Sequence, residues 1–355
     1  MGSLAKGLDD ILHSDKIAIF CHTMPDADTL ASAVALKKLI KQNLPEGTAQ
    51  KQIDIFVDAD EISEINGAII KNAETNVQHC EKYDLAIAVD CASSNRLGKY
   101  EELFFSADKT INIDHHATNT QYAQNNLVLK GSSTCEAIYI LAKIKNYNIS
   151  DEVCNLIYSG IITDTNNLTQ GNITANTHKT ITEMVARKIN IEALNEHFFK
   201  NNNKSKAFLL QKALSTLKFL SYDRIALMKL SKQDIANADA CFEDTMGIVN
   251  HGIEIKGVEI AILAIKQEDN TYYVSLRGKN NINVADIAKQ FGGGGHDQVA
   301  AFQYNGTIAD LQQPLLKACR EELNKHPNEN LTDSLFFGDD EDDLKVFSND
   351  EETNI

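Results

Sequence analysis

Through the first half of the chain, short apolar runs alternate with stretches in which apolar residues return every three or four positions. The runs "KIAIFC" (16–21), "QIDIFVDA" (52–59), "YDLAIAVDC" (83–91) and "TINIDHH" (110–116) are brief and rich in Ile and Val. They predict strands buried on both faces. Between them, 29–41, 63–73 and 96–105 carry helical spacing, and 133–146, 152–162 and 176–189 read as further helices. Alternation of this kind predicts an α/β domain, a parallel sheet with helices on both faces.

The pattern changes after a polar stretch, "NNNKSK" (201–206). Strand-type runs now dominate: "RIALMKL", "VEIAILAIKQ" and "YYVSLRG", followed by "FGGGGHDQVAAF" (291–302). A second, smaller α+β domain is expected, set across a cleft from the first. The expected boundaries are 1–190 for the first domain, 191–210 for a helical linker and 211–327 for the second domain. Residues 328–355 are acidic and without periodicity, and are expected to be a disordered tail.

Composition narrows the classes. The 355 residues are 43% hydrophobic and 7% aromatic, ordinary for a chain with a sizeable core. No apolar run approaches the roughly 20 residues that span a bilayer, and "MGSLAKGLDD" has neither a signal peptide's pattern nor a lipidation motif. The seven cysteines are scattered with no C-x-x-C pair, which suits reduced thiols. Together these predict a cytoplasmic protein with no membrane association. The net charge is −16, of which the ten acids and one lysine after residue 327 contribute −9. A body at −7 does not suit duplex DNA but leaves small anionic substrates open.

The chemistry gathers at the predicted strand ends. The first strand runs into His22, Asp26 and Asp28, the third ends in Asp90, and the fourth in Asp114, His115 and His116. Asp164 follows a helix that can bring it to the same place. In an open parallel sheet the carboxyl ends of the strands converge on one crevice. Any single Asp there reads most simply as a turn residue or helix cap, and a single His as packing. The repetition at four element ends argues otherwise. Converging carboxylates repel unless cations neutralise them. A mixed carboxylate and imidazole set suits Mn²⁺, and the ligands outnumber one ion's needs. A pair of ions with a bridging carboxylate fits, of the kind that clamps both oxygens of a phosphoryl displacement.

The segments "HTMPDAD", "VDC", "DHH" and "GIITDT" resemble, in order, the four motifs of the DHH phosphoesterases. "SLRGKN" with "FGGGGHDQVAAF" resembles the glycine-rich C-terminal domain of one branch, and the resemblance covers roughly residues 10 to 325. Size, linker and C-terminal type resemble the nanoRNase branch, oligoribonucleases that also act on 3′-phosphoadenosine 5′-phosphate or linear dinucleotides. The resemblance implies roles. His22 and Asp26 hold a first ion, Asp28, His115 and Asp164 a second, and Asp90 bridges them. His116 sits by the scissile phosphate and Asp114 orients its neighbours. Ala27 stands where the family often has Gly. Thr29–Leu30–Ala31–Ser32 replaces a more usual Ala–Leu–Gly–Ser, and both changes spare the ligands.

Four consecutive glycines, Gly292 to Gly295, can bring bare N–H groups to an anion, although a flexible hinge explains them equally well. Beside them His296 offers a charged donor and Arg277 a bidentate grip on phosphate. Ser133 and Thr134 form a helix-capping pattern that the resemblance also places at the site's rim. Arg96 suits either neighbouring carboxylates or substrate, and "MGIVNHGIEIKGVEIAIL" resembles the family's substrate-domain segment, which implies that Asn250 meets substrate.

The expected activity is a metal-dependent phosphoric ester hydrolase carrying two Mn²⁺ ions, with Mg²⁺ as the alternative. It releases 5′-mononucleotides from short RNA oligonucleotides or dinucleotides such as pApA, and acts on 3′-phosphoadenosine 5′-phosphate. Cyclic di-AMP phosphodiesterase activity is the alternative within the class. A nucleotide sensor signalling through its acidic tail is the alternative outside it. A homodimer and a protein partner for the tail complete the expectations.

Overall fold

The computed structural model describes residues 10–326, except 12, 46–50, 72–81, 170–171 and 268–269. The expected acidic tail lies outside the described residues. The chain divides into two compact units, Met1–Asn201 and Asn202–Ile355.

The first unit is built on five strands: β1 (Lys16–Phe20), β2 (Gln52–Phe56), β3 (Leu85–Val89), β4 (Lys109–Asp114) and β5 (Asn125–Val128). Their order is β2-β1-β3-β4-β5, with every pair parallel. The chain moves from β1 outward to β2, then returns to place β3 on the other side of β1. That reversal makes the carboxyl ends of β1 and β3 a topological switch point, where open α/β sheets leave a crevice.

Successive strand residues face opposite sides, and both sides are buried. On one side Ile17, Ile19, Ile87 and Val89 pack with Leu30, Val34, Ile138, Ile157 and Ile161 from the helices Ala27–Gln42, Thr134–Ile144 and Asp151–Asp164. On the other, Ala18, Phe20, Ala86 and Ala88 meet Phe56, Tyr83, Leu97 and Phe104. Phe20 stacks on Phe56 with ring centroids 4.9 Å apart. This double burial explains why the strands read as unbroken apolar runs. Alanines at 27, 31, 33 and 35 let the Ala27–Gln42 helix pack closely and bury nearly its whole length.

The second unit holds a six-stranded mixed sheet of β6 (Lys218–Leu220), β7 (Ile225–Leu230), β8 (Ile260–Lys266), β9 (Thr271–Gly278), β10 (Gly294–His296) and β11 (Val299–Asn305). Its order is β10-β11-β9-β8-β7-β6, and only the β7–β8 pair is parallel. Helices Val284–Gln290 and Ile308–Lys325 cover one face, while Lys204–Ser215 and Asn250–Ile253 cover the other.

Residues 191–210 hold the helix Ile191–Phe199 and the start of the helix Lys204–Ser215, separated by non-helical residues 200–203, and they divide between the two units. Ile191, Leu194, Phe198 and Phe199 pack on the first core, whereas Leu209 lies in a core of the second. The short strands β5 and β6 have no counterpart among the expected strands. The helix expected over 96–105 is a 3-10 stretch, Ser94–Tyr100, followed by the helix Glu101–Ser106. Gly98, at φ +55°, kinks the 3-10 stretch internally. Among the described residues no helix is long and apolar enough to cross a membrane.

Ile87 is fully buried in central β3. Ile87→Ala removes three carbons that the sheet cannot close around, and should cost about 2–5 kcal/mol. Urea unfolding of the full chain should show that loss in the transition of the first unit, with the second unit's transition unmoved.

Candidate metal centre

The switch point collects side chains from five elements. His22 lies just past β1, Asp26 is the N-cap of the Ala27–Gln42 helix, and Asp28 stands in that helix's first turn. Asp90 follows β3, Asp114 ends β4, and His115 and His116 come next. Asp164 is the last residue of the Asp151–Asp164 helix. Asp90 takes φ +57°, the left-handed region that Asp and Asn tolerate better than other non-glycine residues. The chain thus turns sharply at the strand's end.

Asp90 is the centre of the arrangement. Its Oδ2 lies 2.6 Å from the Thr29 hydroxyl, which donates to it, and 3.6 Å from His22 Nε2. Its Oδ1 accepts from the Thr134 hydroxyl at 2.9 Å and lies 3.5 Å from His115 Nε2 and 3.6 Å from His116 Nδ1. The two oxygens therefore face two different groups. His22, Asp26 and Asp90 each offer a donor atom within 4.8 Å of the others, and so do Asp28, His115 and Asp164. Asp90 joins a third such group with Asp114, His115 and His116.

The surroundings hold these side chains in place. Asp28 accepts the Thr134 N–H at 2.7 Å and the Cys135 N–H at 3.0 Å. Its charge therefore sits at the positive N-terminus of the Thr134–Ile144 helix. Asp114 Oδ1 accepts the N–H groups of His115 (2.8 Å) and His116 (3.3 Å) and contacts His116 Nδ1 at 2.7 Å. Its Oδ2 accepts from Asn119, which also donates to Asn112.

The charges are mutually dependent. Burial, then the charges of Asp90 and Asp164, push Asp28 well above the usual carboxylate range. Burial, then Asp90 and Asp26, do the same to Asp164. Burial also pushes Asp90 upward, but its contact with His22 and the charges of His115 and His116 outweigh this and leave it below the usual range. Asp114 likewise ends below that range, because His116 outweighs its burial. Burial lowers His116, yet Asp114 and then Asp90 override it and raise the imidazole to about 9.

The donor set suits a divalent cation. His22 Nδ1 lies 2.7 Å from the Thr23 carbonyl and His115 Nδ1 3.4 Å from that of Gly131. In both rings Nε2 is left toward the carboxylates, the orientation in which histidines bind metal with the second nitrogen held by a backbone carbonyl.

Other expected residues divide. Thr134 enters the cluster through Asp28 and Asp90, whereas Ser133 caps its helix by accepting the Glu136 N–H at 3.0 Å. Arg96 Nη2 lies 3.0 Å from His22 Nδ1. In the second unit Arg277 Nε donates to Asn250 Oδ1 at 2.8 Å, so these two come together. The glycine run is less open than four bare N–H groups. Gly292 N donates to Lys289 O and Gly293 N to Ala288 O, ending the Val284–Gln290 helix. A Cβ on Gly293 would stand 2.2 Å from Ala301 O, and one on Gly295, at φ +147°, 2.3 Å from Val299 O. Hairpin packing therefore requires glycine at 293 and 295, while Gly294 has open space and His296 is exposed. Thr29 and Asn119 were absent from the expected residues. The one signal for Thr29 was its departure from the family's usual alanine, and Asn119 carried none.

Residues 16–161 match the model of the DHH family, N-terminal domain, and residues 233–325 that of the DHHA1 domain. A bifunctional oligoribonuclease and PAP phosphatase of Mycoplasma genitalium is 28% identical over 315 residues, covering 84% of this chain and 92% of that protein. A cyclic-di-AMP phosphodiesterase of Geobacillus thermodenitrificans is 24% identical over 330 residues, covering 88% of this chain and 48% of that protein. An exopolyphosphatase-related protein from Bacteroides fragilis shares the fold, with a TM-score of 0.75 at 22% identity over 91% of this chain and 96% of its own.

Gly160 tests how tightly the cluster is packed. An added Cβ would stand 2.4 Å from both Asp28 Oδ1 and Cys135 Sγ, so one methyl must displace the carboxylate. Gly160→Ala should lower the first unit's melting transition, at an overpacking cost of about 1–3 kcal/mol. It should also weaken Mn²⁺ uptake measured by titration of the full chain.

Proposed function

Since the chain belongs to the DHH phosphoesterases, a DHH N-terminal domain followed by a DHHA1 domain, we propose that it hydrolyses short oligoribonucleotides and linear dinucleotides such as pApA to 5′-mononucleotides. On this reading it also converts 3′-phosphoadenosine 5′-phosphate to AMP. The observation that carries the reading is the Asp90 carboxylate, with one oxygen toward His22 and Thr29 and the other toward His115, His116 and Thr134. The similarity to the oligoribonuclease and PAP phosphatase along most of both chains supports the substrate class.

We assign His22 and Asp26 to a first divalent ion, Asp28, His115 and Asp164 to a second, and Asp90 to both. Oxygen-rich donors with one imidazole per ion favour Mn²⁺, with Mg²⁺ as the competing metal. Bound ions would lower the pKa of an attacking water toward neutrality and neutralise the phosphoryl oxygens. His116 carries a proton on its bond to Asp114, which fixes the ring. Its Nε2 is the atom we assign to the scissile phosphate, as a donor to the charge that develops there. Arg277 and Asn250 in the second unit would bind the substrate's distal phosphate, and the open Gly294 gives backbone access beside His296. We place the chemistry in residues 1–190 of a cytoplasmic enzyme and substrate binding in 211–327.

The second reading, cyclic di-AMP hydrolysis, is favoured by the likeness to the Geobacillus phosphodiesterase. One experiment separates the two. Product release is followed from pApA, a five-residue RNA, cyclic di-AMP and 3′-phosphoadenosine 5′-phosphate, each with Mn²⁺, Mg²⁺ or EDTA. The Asp114→Ala/His115→Ala double variant serves as the control. AMP release from pApA that requires Mn²⁺ and disappears in the variant is the expected result. Turnover confined to cyclic di-AMP selects the second reading, and silence on all four substrates with metal bound defeats both.

Two substitutions have distinct signatures. Asp90→Ala should lower kcat by at least about 100-fold, more than either Asp26→Ala or Asp164→Ala, because it alone would serve both ions. Arg277→Ala should raise KM about tenfold with kcat little changed, since it binds substrate away from the reacting centre. Steady-state kinetics on pApA reads both.

A further inference from the structure

The assignment above leaves the Thr29 hydroxyl, which lies within the cluster, without a task. Thr29 is the third residue of the Ala27–Gln42 helix and has no exposed surface. Its N–H donates to Asp26 Oδ1 at 2.9 Å, so the cap of the helix fixes its backbone. Helical threonines ordinarily turn the hydroxyl to a carbonyl one turn back. Here Oγ1 points into the cluster, 2.6 Å from His22 Nε2, 2.6 Å from Asp90 Oδ2 and 3.0 Å from Asp26 Oδ1.

Hydrogen bonding alone does not account for those three contacts. A hydroxyl carries one proton. It can donate to Asp90 or to Asp26, and the carboxylate oxygen left over then faces oxygen lone pairs at close range. A cation among the four atoms removes that conflict. The spacing agrees, because adjacent donors around a divalent ion held at 2.0–2.1 Å stand about 3 Å apart. The same three partner atoms belong to the residues of one candidate ion group, His22, Asp26 and Asp90.

We propose that the Thr29 hydroxyl is a fourth protein donor to the divalent ion held by His22, Asp26 and Asp90, a neutral oxygen that sets how tightly this position takes Mn²⁺. This rests on the two-ion reading of the site. A hydroxyl adds an oxygen without adding charge to an already crowded set of carboxylates, and it shifts the donor balance from imidazole toward oxygen. That balance favours Mn²⁺ and Mg²⁺ over Zn²⁺. The second group, Asp28, His115 and Asp164, gains nothing from Thr29.

Mn²⁺ titration of the metal-stripped full chain, followed by the electron paramagnetic resonance signal of the free aquo ion, reads the proposal without reference to turnover. The variants are Thr29→Ala, Thr29→Val, which keeps the shape without the hydroxyl, and Thr29→Ser, which keeps the hydroxyl. Circular dichroism checks that each folds. The wild-type chain should take up two ions. Thr29→Ala and Thr29→Val should each bind one of them about tenfold more weakly with the other unmoved, and Thr29→Ser should stay within about twofold of wild type. Unchanged binding of both ions in Thr29→Ala and Thr29→Val overturns the assignment, as does an equal loss at both that Thr29→Ser fails to restore. A wild-type chain that takes up only one ion overturns the two-ion reading instead. The Thr29 assignment then stands if that ion weakens tenfold in Thr29→Ala and Thr29→Val, and falls otherwise.

Discussion

Mutual repulsion among Asp26, Asp28, Asp90, Asp114 and Asp164 is the constraint to which the rest of the first unit answers. Three of the five, Asp28, Asp90 and Asp114, are almost without exposed surface, where an uncompensated carboxylate is costly. The fold supplies partial compensation from several directions. Asp28 receives two N–H groups at a helix start. Asp114 receives two more N–H groups, together with His116 and Asn119. Asp90 receives two hydroxyls and stands near three imidazoles. These partners set orientation, and they leave the sum of charge at the centre negative.

Protons or metal ions can supply the missing positive charge, and the geometry favours metal. Burial and the neighbouring charges raise Asp28 and Asp164, which is the protonated solution. Two backbone N–H donors on Asp28 pull the other way, because they bind the ionised form better. A proton placed on Asp28 would weaken those bonds and neutralise only one carboxylate. A divalent ion neutralises several carboxylates at once and keeps every backbone bond. The steric closure around Gly160 fits the same account, since Asp28 has no room to withdraw from its neighbours.

Much of this was legible in the sequence, for physical reasons that also set the limits. β1 to β4 are buried on both faces, so each appears as an apolar run, and β1, β3 and β4 run into a metal-binding residue type. β5 and β6 have four and three residues and include Asn125, Asn126 and Lys218. Strands so short and polar carry no periodic signal. The helix start at Asp26 was obscured because one residue serves as cap and cluster member, so the apolar pattern began at 29 while the helix begins at Ala27. Thr29 was legible only as a motif departure, since its importance lies in a side-chain direction that spacing does not encode. The glycine run was read for its N–H groups. Two of those groups end a helix, and two of the glycines are required by the approach of β11.

The left-handed backbone at Asp90 connects fold to chemistry. An extended residue after β3 would continue the strand and direct its side chain to one face of the sheet. At φ +57° the chain instead turns at the carboxyl end of this central strand, and the carboxylate stands with one oxygen toward the residues after β1 and the other toward those after β4. Only a residue between those two strands can do this, and β3 lies between β1 and β4 in the sheet. Strand order therefore decides which aspartate faces both groups. Asp and Asn bear this conformation at lower cost than other side chains, and of the two only Asp brings a negative charge. The strain at one backbone position and the placement of a carboxylate between two donor groups are consequences of the same turn.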